Sequence, residues 1–449
     1  MKKKILSALM ATAIMCTTLA GCKNKEPAGP VNENGDIQVE LAQGEKENAA
    51  GLPTYDVGNL PVSQNICSMQ QVNSIYVQQL DTRKAIAYND LKNAILEAKE
   101  SVKLSKQITE EELFHLMLIL HSDDADVMYI STKYGYNEPV NGYVETIYLY
   151  YDYKVVAERR DEETIATIKN KIYKKNQMAY ALAQDDGKSQ TVATRRDNDF
   201  VAAQELMSII SNDYKMDSRE AALTYASMCR YIGIPAIVKI GKFTSDELSE
   251  YNGTTNNGFE FLSNVTKYTT KNENGIYTVD YPTSDFVYWN LIQINGNWYN
   301  VDLKTNQYYA LKEDLDIKLD AWFSFVPDYL MSMSRISKYT EDLLGYVPAS
   351  TDIQYNLTYR KNNFLLTHTE SQIPIRLAEV LDKIKADNKK NTIFQFEDEK
   401  TYESFIENIP QAVETYNEAY GGILLSYEVV TYKEALVVII KNVKYKGNQ

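Results

Sequence analysis

Histidine is scarce in this chain of 449 residues, which contains only His115, His121 and His368. None of the three lies between residues 186 and 312. That stretch therefore lacks the side chain that most often acts as a general base near neutral pH. Isolated histidines are more often surface or packing residues than functional ones, and we expect this of all three.

Cysteine is almost as rare, with four residues at positions 16, 22, 67 and 229. Cys67 and Cys229 either form a disulfide, which export would permit, or remain buried free thiols. Cys229 lies in an apolar helical stretch, where a cysteine usually acts as a small hydrophobic side chain. This context favours two free thiols.

An excess of basic residues is absent as well, because 47 Lys and Arg face 61 Asp and Glu and the net charge is −14. Such a charge disfavours nucleic acid and anionic lipid headgroups as partners. No metal site and no cofactor is predicted.

Long apolar runs are missing beyond the N-terminus, where Ile5–Met15 follows three lysines. This run is too short to span a membrane and is typical of a secretion signal. It ends in Leu19-Ala20-Gly21-Cys22, which resembles a bacterial lipobox. The resemblance implies removal of residues 1–21 and lipid attachment at Cys22, at the outer face of the cell membrane. The alternative is an ordinary signal peptide that contains a cysteine.

After the signal, residues 22–55 are predicted to form a flexible tether because they contain few large apolar residues. We place domain boundaries at 56–185, 186–312 and 313–449. Helices are predicted for residues 83–102 and 161–184, and strands for 127–134 and 143–156.

Three acids follow a helix that a capping box at Thr109 and Glu112 opens and that ends near His121. They are Asp123, Asp124 and Asp126. Because the glycine and terminal glutamate of a calcium loop are missing, a solvated loop is predicted.

The middle domain begins with a helix near 199–213 and a second helix from Ser218. Strands are predicted at 234–240, 286–294 and 297–301, with Asn295-Gly296 as a type I′ turn. The end of the chain predicts an αβαββ unit with its helices on one face of a small sheet.

The stretch from Ser218 to Asp302 resembles the transglutaminase-like superfamily. Its frame consists of Cys229-Arg230-Tyr231-Ile232-Gly233-Ile234-Pro235, Val287-Tyr288-Trp289-Asn290 and Trp298-Tyr299-Asn300-Val301-Asp302. In the family a cysteine opens a helix 15 residues before Gly-Ile-Pro, and here that position holds Ser218. A histidine precedes Trp-Asn by two residues, and here that position holds Val287.

The resemblance implies an α+β fold with a papain-like transglutaminase core, in which a helix packs on an antiparallel sheet. An N-terminal α/β domain and a small C-terminal α/β domain would flank this core. Among the expected Cys-His-Asp residues only Asp302 remains. The family scaffold would be kept by Gly233, Pro235, Trp289, Asn290, Trp298 and Tyr299. The layout also resembles secreted proteins of low-GC Gram-positive bacteria.

Replacement residues for the lost catalytic groups are not evident. Asp217 and Glu220 are predicted to cap the Ser218 helix, and the alternative N-cap is Ser218 itself. Cys229 lies roughly 16 Å along that helix. Asp302, with no imidazole to orient, is predicted to remain as a hydrogen-bonded turn or strand-end residue, which is an inexpensive structural role.

These features predict an inactive, lipid-anchored protein that binds a peptide, the cell wall or another protein. One alternative is a cysteine-protease or transglutaminase-type enzyme of altered mechanism, and the other is a structural assembly lipoprotein. The sequence does not define the oligomeric state.

Overall fold

The computed structural model describes residues 45–47, 53–55, 74–97, 99–127, 130–151, 216–231, 233–252, 269–280, 286–315, 321–337, 339–362, 373–386, 391–422 and 424–446, with scattered positions between 200 and 210. The predicted signal segment, most of the tether and the helix at 161–184 lie outside these residues. Cys22, Cys67 and His368 lie outside them too.

Helices and strands alternate along the chain. The elements up to residue 294 are β1 Glu45–Glu47, β2 Pro53–Tyr55, α1 Ile75–Gln78, α2 Thr82–Leu96, β3 Ser101–Ile108, α3 Glu110–Asp123, β4 Ile130–Tyr136, β5 Val144–Tyr151, α4 Ser218–Tyr231, β6 Ala236–Phe243, α5 Asp246–Asn252, β7 Thr269–Lys271, β8 Tyr277–Asp280 and β9 Val287–Ile294. The elements after it are β10 Asn297–Val301, α6 Leu303–Glu313, β11 Ser324–Val326, α7 Asp328–Ser334, β12 Arg335–Ile336, α8 Tyr339–Leu344, α9 Leu357–Asn362, α10 Ile373–Ala386, β13 Thr392–Gln395, α11 Glu399–Tyr420, β14 Leu424–Tyr432 and β15 Val437–Tyr445.

The fold mixes helices with antiparallel sheet, as the predicted α+β class requires. The chain forms two compact units. The first contains residues 1–242, 252–295 and 337–347, and the second contains residues 243–251, 296–336 and 348–449. The predicted domain boundaries stay predictions.

The first unit contains an antiparallel sheet in the order β3-β5-β4-β8-β7. Tyr134 in its central strand lies opposite Leu149 on one side and Val279 on the other. All three side chains are buried, which places a hydrophobic core on this face of the sheet.

Helix α3 begins where the capping box predicted it. The Thr109 hydroxyl accepts a hydrogen bond from the Glu112 amide at 3.2 Å, and the Glu112 carboxylate accepts one from the Thr109 amide at 3.0 Å. The helix reaches Asp123, two residues beyond the predicted end. Its apolar residues from Leu116 to Leu120 are all fully buried.

The predicted helix at 83–102 is correct at its start and wrong at its end. Helix α2 stops at Leu96, and Val102 lies in β3 opposite Ile147. The predicted helix included Val102 because its position fits helical spacing. Its conformation is instead decided by pairing with a neighbouring strand.

The strands predicted at 127–134 and 143–156 correspond to β4 and β5, although Val127 lies in a 3-10 helix and residues 152–156 lie outside the described ranges. The strands predicted at 234–240 and 286–294 correspond to β6 and β9. Strands β6 and β9 pair in antiparallel fashion, with Val238 opposite Asn290 and Lys239 opposite Trp289. Helix α4 packs on β9 and begins at Ser218.

The turn Asn295-Gly296 has positive φ angles of 51° and 88°. A type I′ turn requires positive φ at both central positions, so the predicted turn is confirmed. Strand β10, which follows this turn, pairs with β11 in the second unit.

The predicted αβαββ order at the end of the chain is confirmed by α10, β13, α11, β14 and β15. Both helices contact the sheet: the Phe394 and Phe405 rings lie 4.7 Å apart, and the Tyr445 hydroxyl donates to the Leu381 carbonyl at 2.8 Å. Pro410 lies inside α11 without dividing it, and Gly421 ends that helix with a φ of 74°.

Replacing Arg83 with glutamine should raise the pKa of Glu112. Arg83 Nη1 donates to Glu112 Oε2 at 2.7 Å, and this hydrogen bonding is the main reason why the pKa of Glu112 falls from 4.5 to about 2. The ionised pair therefore contributes stability above pH 4.5 that is lost as the pH falls towards 2. An NMR titration of the Glu112 side-chain carbons measures the change.

Lys84→Gln is the matched control, because Lys84 Nζ lies 3.8 Å from Glu112 Oε1 and is the weakest of the causes. This variant should move the pKa of Glu112 much less. A pKa that stays near 2 in Arg83→Gln would assign the shift to the helix cap instead.

Candidate functional site

Ser218 is the first residue of α4 and is buried. The cap of this helix is Asp217, whose Oδ1 accepts a hydrogen bond from the Glu220 amide at 2.8 Å. The prediction that Asp217 caps the helix is therefore confirmed. A carboxylate at this end disfavours the ionised form of any nucleophile at position 218.

Arg219 connects the start of α4 to the end of α3. Its Nε and Nη2 donate to the main-chain carbonyl of His121 at 2.9 and 2.8 Å. Arg219 also lies near the Tyr288 hydroxyl, where burial raises the pKa of Tyr288 and the guanidinium partly opposes this.

His121 is a packing histidine, as one of the two predicted roles had it, with only 2% of its surface exposed. Burial lowers its pKa well below 6.5, and the nearby Arg219 cation lowers it further. His115 is half-buried and lies 3.3 Å from the Leu344 carbonyl oxygen.

Val287, at the position of the family's histidine, is fully buried at the start of β9. Two residues on, Trp289 is buried with Lys239 Nζ 5.7 Å from its ring centroid. Asn290 Nδ2 donates to the Ala222 carbonyl at 2.8 Å and so ties β9 to the middle of α4. Ser218 and Val287 thus belong to one helix–strand unit.

The Gly233-Ile234-Pro235 segment ends α4 as predicted. Gly233 has a φ of 87°, and the Ile234 amide donates to the Cys229 carbonyl at 2.9 Å. This six-to-one bond with a left-handed glycine is a Schellman motif.

Asp302 is a hydrogen-bonded residue directly after strand β10, as predicted. It caps α6, and its two carboxylate oxygens accept hydrogen bonds from the Thr305 amide at 2.9 Å and hydroxyl at 2.7 Å. Arg335 Nη1 donates to the same carboxylate, and both side chains are fully buried. The rings of Phe243 and Phe323 each lie 5.1 Å from the Arg335 guanidinium carbon.

The prediction did not include the buried ion pair with Arg335. Taking a carboxylate and a guanidinium out of water costs several kcal/mol per ion before their attraction is counted. The sequence could not indicate this, because Arg335 lies 33 residues away.

The two aromatic scaffold residues of β10 differ in burial. Trp298 is half-buried, and its carbonyl accepts a hydrogen bond from the Ser350 hydroxyl at 2.7 Å. Tyr299 is fully buried, donates to Asp352 Oδ2 at 2.8 Å and packs edge-on against the Tyr355 ring.

The predicted solvated loop after α3 is also wrong, because Asp123 and Asp124 are both buried. Asp123 Oδ1 accepts hydrogen bonds from Arg230 Nη2 at 2.7 Å and from the Val238 amide at 2.8 Å. Asp124 Oδ2 is 2.7 Å from Lys92 Nζ. The sequence signal for this buried acid was Arg230, which lies inside the apolar helix that contains Cys229, because a cation there needs a buried partner.

Cys229 is fully buried. Cys67, its candidate disulfide partner, lies outside the described residues. Tyr225, a neighbour of Cys229, is buried and donates to the Ala203 carbonyl at 3.0 Å. Cys229 belongs to the core.

Among the described residues, no cluster of three or more His, Cys, Asp or Glu side chains could hold a metal ion. Within the same ranges, no helix combines the length and apolar character needed to cross a bilayer. No family model matches the chain, and no curated protein matches it in sequence.

Breaking the Asp302–Arg335 pair from either side should destabilise the protein by about 3–5 kcal/mol, because each single change leaves an unpaired buried charge. Asp302→Asn keeps a capping oxygen for Thr305, whereas Arg335→Met removes the guanidinium. The double variant should lose much less than the sum of both single losses. Urea-induced unfolding measures all three.

Lys433→Met is the control, because Lys433 and its partner Glu399 are 60% and 48% exposed. That variant should show no measurable loss. Additive losses in the double variant would contradict a coupled buried pair.

Proposed function

We propose that this chain is a lipid-anchored extracytoplasmic protein whose transglutaminase-like, papain-like core binds a peptide, the cell wall or another protein without catalysis. Helix α4 packed on antiparallel β6 and β9 supports the proposed core. The Gly233 helix stop and the Asn290 bond to Ala222 support it at the level of single residues.

The engagement of Asp302 is the observation that carries the proposal. In a Cys-His-Asp site the acid orients an imidazole through a hydrogen bond. Here Arg335 and Thr305 occupy the carboxylate inside a fully buried network. An imidazole partner would have to displace a buried cation from this carboxylate.

The other two positions support the same conclusion. Val287 has no atom that can accept a proton, and it is part of the hydrophobic core. A serine at position 218 needs a general base to act as a nucleophile, and its neighbour Asp217 serves the helix cap instead.

The alternative of an altered enzyme has one observation in its favour. The His121 carbonyl is held by Arg219, the residue after Ser218. The His121 imidazole is neutral because burial lowers its pKa, so it could accept a proton if it reached Ser218.

Turnover assays separate the two readings. The purified full chain, incubated with a glutamine-donor peptide and an amine probe, should give no product above that of Ser218→Ala. The same chain should retain soluble cell-wall fragments or library peptides and release them unchanged. Product formation that Ser218→Ala, Cys229→Ala or His121→Gln abolishes would overturn the non-catalytic proposal.

Lipid attachment is tested separately. Cells that express the full chain with labelled palmitate should incorporate label into the protein, because the thiol at position 22 is the expected acceptor. Cys22→Ala should lose the label and leave the membrane fraction. Equal labelling of the wild-type protein and the Cys22→Ala variant would contradict the proposed anchor.

A further inference from the structure

Helix α4 is attached at both ends to one short buried stretch, His121–Asp123. Near the start of the helix, Arg219 donates to the His121 carbonyl. Near its end, Arg230 Nη1 donates to the Asp123 carbonyl at 2.7 Å, and Nη2 donates to the Asp123 carboxylate at 2.7 Å. The two arginines are about 16 Å apart along the helix, yet their partners are two residues apart.

The attachment at the start of α4 lies beside a buried imidazole. His121 is 2% exposed, and the charged group that faces it from α4 is the Arg219 guanidinium. Asp217 and the Tyr288 hydroxyl lie next to Arg219. Protonation of His121 would therefore place a buried cation beside the half-buried Arg219 guanidinium.

The attachment at the end of α4 has different neighbours. Asp123 faces Arg230, with the Tyr76 and Tyr88 hydroxyls nearby. Tyr88 donates to Asp124 at 2.8 Å, and Lys92 of the same helix α2 pairs with that carboxylate. Burial raises the pKa of Asp123, and the Arg230 guanidinium opposes this. The bond from Arg230 to the Asp123 carbonyl involves no group that titrates in mild acid, so this end stays attached.

We propose that His121 makes the start of α4 an acid-sensitive latch, which releases in mild acid while the Arg230–Asp123 end stays attached. The direction of the pH effect follows from the linkage between protonation of His121 and release. His121 is neutral while attached and regains an ordinary pKa near 6.5 once exposed, so each fall in pH below 6.5 favours the released form. This inference does not depend on the proposed ligand binding.

Hydrogen exchange of the full chain, followed by mass spectrometry and corrected for intrinsic rates, tests the latch. Between about pH 7.5 and about pH 5.5, protection in the first half of α4 should fall about tenfold, the effect of one proton on a group with a pKa near 6.5. Protection around Arg230 should stay. His121→Gln should abolish the change. His115→Gln, which alters a second histidine that is half-buried, should keep it.

Unchanged protection in the wild-type chain, or a tenfold loss that persists in His121→Gln, would overturn the latch. Should His121→Gln fail to fold, an NMR titration of the wild-type chain decides. The His121 imidazole and the amides of the first α4 turns should then change at the same pH. Separate midpoints would contradict the proposal.

Discussion

Pairing of buried charges is the constraint on which both units of this protein depend. An unpaired ion inside a protein costs far more than a domain's net stability can spare. The first unit meets this constraint with Asp123 and Arg230, and the second with Asp302 and Arg335. In each case the aspartate also binds a main-chain amide, Val238 or Thr305, so the pair fixes backbone as well as side chains.

The same constraint explains how a frame that resembles a catalytic one can serve structure instead. A carboxylate that orients an imidazole must be free to accept its N–H. Once Asp302 pairs with Arg335 and caps α6, its removal from that network has a high cost. Val287 and Asp217 also have structural roles, because Val287 fills the core and Asp217 caps α4. Binding surfaces can persist on such a scaffold, since they need shape rather than a proton path.

Local signals were enough to predict much of the fold. The Thr109–Glu112 capping box, the Gly233 stop and the Asn295-Gly296 turn all depend on groups within five residues of one another, and all are present. The predicted end of α2 was wrong because Val102 pairs with Ile147 in another strand. The solvated loop was wrong because the partner of Asp123 lies 107 residues away.

The sequence by itself determined which segments form most of the helices and strands, that the core segment contains no histidine, and that Ser218 and Val287 stand where a nucleophile and a base would be expected. Only the tertiary structure decided what the remaining acid does. Asp302 reads the same in sequence whether it is exposed at a strand end or buried against Arg335. Capping and turn formation act between neighbours in the chain, whereas desolvation and charge pairing depend on which distant side chains folding brings together.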